Sequence, residues 1–252
     1  MTNPLRSEEG FPRIRTVGLQ GMLVTFADTL SEAANRATLA YRAALEAALP
    51  VGVLETSASL TSVFVRFDPN MLRHEALREN LAALLASRDW MQAALPVGRT
   101  LWRVPTVYGT DLAPQLAEAA DAAGLNETEA VASLSGSRVR VLTIGFAPGQ
   151  PYLGPLGPEW NLPRQTDLTP RVPAGALILA ISQFVLFSAP NPTGWRHVGQ
   201  TGFRVFKADR DAPFALKAGD EMQFEAVTRA EYLRFAEKDP SYGGATRQEI
   251  RA

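Results

Sequence analysis

The chain has 252 residues, 46% hydrophobic and 20% charged, with 25 basic against 26 acidic side chains and a formal net charge of −1. These values exclude a mostly disordered chain, a coiled coil and a surface basic enough throughout to wrap nucleic acid. Cysteine is absent, which excludes disulfides, a thiolate nucleophile and Cys-ligated zinc.

No run approaches the roughly 18 apolar residues that span a bilayer. The opening MTNPLRSEEGFPRIR has no apolar signal core. The expectation is a soluble, cytoplasmic protein with no nucleic-acid or membrane partner.

The first hundred residues read as alternating strands and helices. Residues 22–26 are a short β-prone run. Ser31 caps a helix whose apolar positions Ala37, Tyr41, Ala44, Leu45 and Ala48 recur at helical spacing, and Pro50 ends it. Residues 51–56 read as a strand, and in 62–67 Val63, Val65 and Phe67 alternate with Phe64 and Arg66. After the turn Asp68-Pro69-Asn70, a helix over 72–87 carries Leu77, Leu81, Leu84 and Leu85 on one stripe. Residues 101–107 return as a strand. The order β-α-β-β-α-β predicts a ferredoxin-like sandwich over 1–108.

Residues 111–123 predict an Ala-rich helix closed by Gly124, and Asn126 with Glu129 forms a capping box that opens another. This acidic pair, over 109–137, reads as a bridge. From Arg138 the pattern changes to short β-prone runs between Gly/Pro turns, at 139–144, 176–181, 184–187, 202–206 and 221–226. That spacing predicts a small barrel or sandwich over 138–236, so the fold class is α+β. Residues 237–252 are polar, lack periodicity and predict a mobile tail.

Charge is unevenly spread. Residues 1–110 hold 11 basic and 10 acidic groups, 111–137 hold five acidic and none basic, and 138–210 hold eight basic against three acidic. The last stretch is the best reception for an anion, or else a solvated basic face. The phosphate-loop, dinucleotide-fingerprint, HExxH and GxSxG motifs are absent. With only His74 and His197, the sequence supports no His-based zinc site and no metal centre. His74 reads as a surface residue, His197 as a structural or edge residue.

Three segments of the basic stretch are candidates for chemistry. Residues 145–154, GFAPGQPYLG, hold Gly145, Pro148, Gly149 and Tyr152 in a stiff loop whose amides suit an anion or oxyanion, or a tight barrel corner. Arg164 and Arg171, each beside a proline, offer guanidinium forks for carboxylate or phosphate, or pair with a local acid such as Asp167. Gln183 offers an amide, and Trp195, on a Pro/Gly loop, stacks on a ligand or closes a core.

In series, GFAPGQPYLGPL, PRVPAG, the Gln183 segment, PTGWRHVGQT and LKAGDEMQFEAV resemble the family of the 5-oxoprolinase B subunit, also called allophanate hydrolase subunit 1 and including the sporulation histidine-kinase inhibitor. GVLETSASLTSVFVRFDP and VPTVYGTDLAPQLAEAADAAGL fit its N-terminal half, so the resemblance covers residues 14–235. It implies a ferredoxin-like domain followed by a cyclophilin-like β-barrel. It also implies a larger homologous carboxyltransferase-like partner subunit, and ATP with magnesium for opening 5-oxoproline to glutamate. Under it Arg171 and Gln183 are the catalytic candidates, and Gly145, Pro148, Gly149, Tyr152, Arg164 and Trp195 bind substrate.

The chain departs from the family pattern in having Gln150 for Phe, Gln200 and Thr169 for Arg, and Ile181-Ser182-Gln183-Phe184-Val185-Leu186-Phe187 for a glycine-containing run. Three functions follow as expectations: the small subunit of an ATP-dependent amidohydrolase, a non-catalytic module that docks on a sensor histidine kinase, and a carboxyltransferase-like subunit of the allophanate or urea carboxylase kind.

Overall fold

The computed structural model describes residues 10–251, and the chain divides between Pro96 and Val97 into two compact units. In the first, strands β1 (Arg13–Val17) and β2 (Gly21–Thr25) form a hairpin, followed by helix α1 (Glu32–Ala47). A second hairpin, β3 (Val53–Ser59) and β4 (Ser62–Phe67), leads into helix α2 (His74–Ala86). The four strands pair antiparallel in the order β1-β2-β4-β3. Alternation puts Met22, Val24, Val63, Val65 and Phe67 on one face, buried against Ala37, Tyr41 and Leu45 of α1 and Leu77 and Leu81 of α2. Each large apolar side chain so buried contributes roughly 1.5–3 kcal/mol. The Tyr41 hydroxyl donates to Leu81 O (2.9 Å) and ties the helices together. Ser31 caps α1, its Oγ accepting from the Ala34 N–H at 3.1 Å.

The helices on one sheet face are those of the expected sandwich, but one strand differs. Residues 101–107 form a strand that belongs to the second unit, so the division falls at Pro96 and not at 108. Its place in the first sheet is taken by β1. That strand, RIRTV, is charged and exposed along most of its length, and only Ile14 packs on the core.

In the second unit β6 (Arg138–Ile144), β13 (Glu221–Ala226), β5 (Thr100–Tyr108), β12 (Arg196–Thr201), β9 (Ala176–Ala180), β10 (Gln183–Leu186) and β7 (Pro151–Gly154) pair in that order. Strand β7 returns to β6, which closes a seven-stranded barrel. Only β13 and β5 run parallel. Leu153, Leu177, Leu179, Phe184, Leu186, Val198 and Phe224 fill the interior. Helices α3 (Leu116–Ala122) and α4 (Glu127–Gly136), expected as a bridge, bury Leu116, Ala119, Ala120, Ala130 and Leu134 in the same core. The Asn126–Glu129 capping box is formed. Strands β8 (Thr169–Val172) and β11 (Asn191–Thr193) make a separate two-stranded sheet.

The region expected as a mobile tail is ordered over its described residues. Helix α5 (Arg229–Lys238) opens on a Thr228–Glu231 capping box. The Asp239 carboxylate then accepts from the N–H groups of Ser241 (3.1 Å) and Tyr242 (3.0 Å). The Tyr242 ring stacks on Trp102 at 5.4 Å, and β14 (Thr246–Glu249) pairs with the first half of β5. Polar composition hid these contacts because the segment docks through one aromatic ring and its backbone.

The β9–β10 hairpin turns on Ile181 (φ 47°) and Ser182 (φ 55°). Positive φ at both positions is the pattern of a type I′ turn, which favours Asn-Gly, and a β-branched residue there is strained. The turn is held from outside, with Ile181 N–H donating to Leu162 O (2.7 Å) and Ser182 N–H to Trp160 O (2.9 Å). Replacing Ile181→Asn with Ser182→Gly is expected to stabilise the protein by about 1 kcal/mol, read as a higher denaturation midpoint. Conversely, Tyr242→Ala is expected to cost about 2 kcal/mol through the lost stack on Trp102, with Trp fluorescence reporting its exposure.

Candidate functional site

Strands β9 and β10 are apolar on both faces. Outside the barrel Ala176, Ile178, Ala180, Val185 and Phe187 pack with Val172 and Trp195 in a cluster of their own. The short β8–β11 sheet covers this face incompletely, and a cleft lies on either side of it.

The first cleft, of about 380 Å³, has Ile178, Val185 and Phe187 as its floor and Tyr152, Trp195 and Arg164 as its walls. Trp195 stands edge-on to Tyr152 (6.4 Å, 80°), and the Arg164 guanidinium carbon lies 5.5 Å from the Trp195 ring centre. Gln150, 1% exposed, and Gln165 also line it, and the Oε1 of each is buried without a hydrogen-bond donor. A buried acceptor left this way costs about 1–3 kcal/mol, which a bound N–H or O–H group relieves. Among the described residues, no Asp, Glu or His lines the cleft. Phe146 (φ 71°, 78% exposed) and Leu168 (65% exposed) form its lip.

Tyr152, Arg164 and Trp195 thus line one cleft. The other candidates from that loop are not part of the lining. Gly145 N–H donates to Gln150 O (3.0 Å) and Gln150 N–H to Ala147 O (3.1 Å), so these two amides close the loop and are not free for an anion. Gly149 (φ 69°) is required by chain packing, since a Cβ there would lie 2.9 Å from Val205 O. Pro148 is exposed at the turn.

Arg171 lies in the second cleft, of about 660 Å³, apart from Arg164. Gln183 lines neither cleft and packs against Gly154. The second cleft is shared with Arg204, His197, Gln200, Gln115 and Tyr232. His197 and Gln200 are 4% and 5% exposed and lie together on its floor. The Gln200 amide nitrogen is fixed by donating to Ala174 O (3.0 Å) and Thr201 O (3.3 Å). Burial pushes His197 below the ordinary imidazole pKa, opposed in part by hydrogen bonds to the Gly199 backbone and the Gln200 side chain.

The basic stretch therefore does not converge on one point. Arg138 pairs with Glu221, Arg196 with Glu118 (2.9 Å), and Arg210 donates to Ser241 O (2.8 Å) beneath the Tyr242 ring. Arg164, Arg171 and Arg204 have no acidic partner among the described residues. Sequence reasoning missed His197, Gln200 and Arg204 as a group. The missing signal was the irregularity between His197 and Gly199 in the strand 196–201, without which plain alternation sets His197 and Gln200 on opposite faces.

The model of the family described as carboxyltransferase domain, subdomain C and D, matches residues 12–216. The 5-oxoprolinase B subunit of Bacillus subtilis (strain 168) is 26% identical over 236 residues, covering 90% of this chain and 97% of that one. The 5-oxoprolinase B subunit of Haemophilus influenzae is 31% identical over 164 residues, 65% of this chain and 72% of that one. Among solved structures, that of TTHA0988 aligns with TM-score 0.70 at 31% identity, covering 86% of this chain and 40% of that one. The Kluyveromyces lactis urea carboxylase aligns with TM-score 0.74 at 19% identity, over 94% of this chain and 24% of that one, a likeness of fold. This chain thus spans less than half the length of either solved protein. By the match over residues 12–216, the chain belongs to the family of carboxyltransferase domains, subdomain C and D.

Proposed function

We propose that the chain is the smaller subunit of an ATP-dependent amidohydrolase of the 5-oxoprolinase type, and that the cleft between Tyr152 and Trp195 holds the lactam. The observation that carries this reading is the lining itself: aromatic walls, one guanidinium without an acid, and two buried amide oxygens lacking donors. A small ring lies against Trp195, its carboxylate meets Arg164, and its N–H supplies the donor that the Gln150 or Gln165 carbonyl lacks.

A lactam is a poor electrophile. Transfer of the terminal phosphoryl group of ATP, with magnesium, to the lactam oxygen releases ADP and activates the ring carbon. Water then adds there and the C–N bond breaks to leave a γ-glutamyl phosphate, and a second water releases phosphate to give glutamate. The described lining of the first cleft contains no carboxylate or imidazole to move a proton in these steps. It binds and orients, and the acid–base groups come from elsewhere in the assembly. That division of labour supports a larger partner, in keeping with relatives that are each one subunit of a 5-oxoprolinase.

With that partner present, 5-oxoproline-dependent ATP turnover is expected, and Arg164→Gln is expected to raise KM for 5-oxoproline by about tenfold or more, the worth of one charge-assisted hydrogen bond. Unchanged KM removes Arg164 from the site. The exposed Phe146 and Leu168 favour a second reading, a docking module for a histidine kinase. No turnover alongside the larger subunit, together with a kinase complex weakened by Phe146→Ser, decides for that reading.

A further inference from the structure

The first cleft offers more acceptors than a lactam can pair. Gln150 is 1% exposed and Gln165 is half-buried, and among the described residues the Oε1 of each is buried with no donor. Both residues sit on pinned backbone. Gln150 N–H donates to Ala147 O (3.1 Å) and its O accepts from Gly145 N–H (3.0 Å), while Gln165 N–H donates to Gly194 O (2.7 Å) beside Trp195. Two carboxamides are thus carried into one space with an apolar floor.

Water that enters the cleft hydrates both oxygens, and a ligand that displaces it loses affinity unless it supplies as many donors. The ring of 5-oxoproline has one N–H, so it leaves one of the two oxygens unpaired. The other polar groups of the lining match a lactam acid already. Arg164, without an acidic partner among the described residues, takes a carboxylate. Thr193, 7% exposed, accepts from Trp195 N–H (3.0 Å) at Oγ1, which leaves its hydroxyl proton for a ring carbonyl. One cation, one hydroxyl donor and two acceptors call for a ring with one carboxylate, one carbonyl and two N–H groups. A ring hydroxyl would also donate, but its oxygen brings lone pairs that themselves need a partner, and an amide-type N–H does not.

We infer that the cleft between Tyr152 and Trp195 selects a carboxylate-bearing cyclic ureide, a ring whose carbonyl is flanked by two N–H groups, over a simple lactam. Gln150 and Gln165 are its specificity-determining residues. The inference rests on the reading of this cleft as the seat of a cyclic amide, and it changes one ring position, a CH2 beside the carbonyl becoming N–H.

The isolated full chain is titrated by calorimetry with 5-oxoproline, 2-oxoimidazolidine-4-carboxylate, which has the same ring size and carboxylate with the second N–H, and 4-hydroxy-5-oxoproline. The ureide is expected to bind about tenfold tighter than 5-oxoproline or better. Gln150→Met and Gln165→Met keep side-chain length and delete the acceptor. In one of them the preference for the ureide is expected to vanish, and in the other both rings weaken together, which assigns each N–H to its carboxamide. Gln150→Met is also expected to raise the denaturation midpoint of the free chain, because it removes a buried oxygen without a donor. A lowered midpoint shows that the carboxamide holds the fold and overturns the proposal. So does equal affinity for the two rings, no binding of either, a preference unchanged in both variants, or the hydroxylated lactam binding as tightly as the ureide. ATP turnover with the larger subunit judges the amidohydrolase reading separately: turnover of 5-oxoproline without a ureide preference overturns this inference alone, and a ureide preference without turnover overturns only that reading.

Discussion

The double-sided burial of β9 and β10 is the constraint from which both candidate sites follow. Leu177, Leu179, Phe184 and Leu186 fill the barrel, and Ala176, Ile178, Ala180, Val185 and Phe187 are apolar on the outside as well. An apolar outer face must be covered, and the cover here is a sheet of only four and three residues with a register irregularity between Asn191 and Thr193. It shields the centre of the face through Val172 and leaves room on both flanks. The small side chains of Ala176 and Ala180 let the cover approach closely. The clefts are what a short cover leaves open, and their different chemistry comes from which strand borders each.

Much of this was legible residue by residue, and little of it as a grouping. Helices α1 and α4 announced themselves by caps at Ser31 and Asn126, and β4 by its alternation. Strand β12 did not, because the irregularity between His197 and Gly199 breaks the period of two within R-H-V-G-Q-T. The neighbouring run 202–206 shows the opposite error. Phe203 and Val205 alternate and are buried in the barrel core, yet that backbone is no strand, for Arg204 N–H donates to Ser241 O (3.1 Å). Period-two burial records which side chains face a core. It does not record what the backbone pairs with.

The same limit applies to the candidate site. Arg164 and Arg171 are seven positions apart in the chain and each follows a proline, so they read as one fork. They separate because β8 begins at Thr169 and turns the chain to the other side of the cover. Total charge was an equally poor guide. Arg138 and Arg196 are taken up by ion pairs and Arg210 by a backbone carbonyl, and the remainder without acids becomes visible only when partners are assigned.

Two non-glycine residues with positive φ show how strain is used differently in this fold. At Ile181 neighbouring carbonyls hold the turn, and its side chain lines neither cleft. At Phe146 the loop closes through Gly145 and Gln150 and presents an aromatic ring, 78% exposed, at the lip of the first cleft. Both the strained backbone and the wet ring cost free energy in the isolated chain. Leu168 across the lip adds to that cost. Covering the lip recovers part of that cost. The same positive φ thus serves a closed hairpin at Ile181 and an apolar, exposed lip at Phe146.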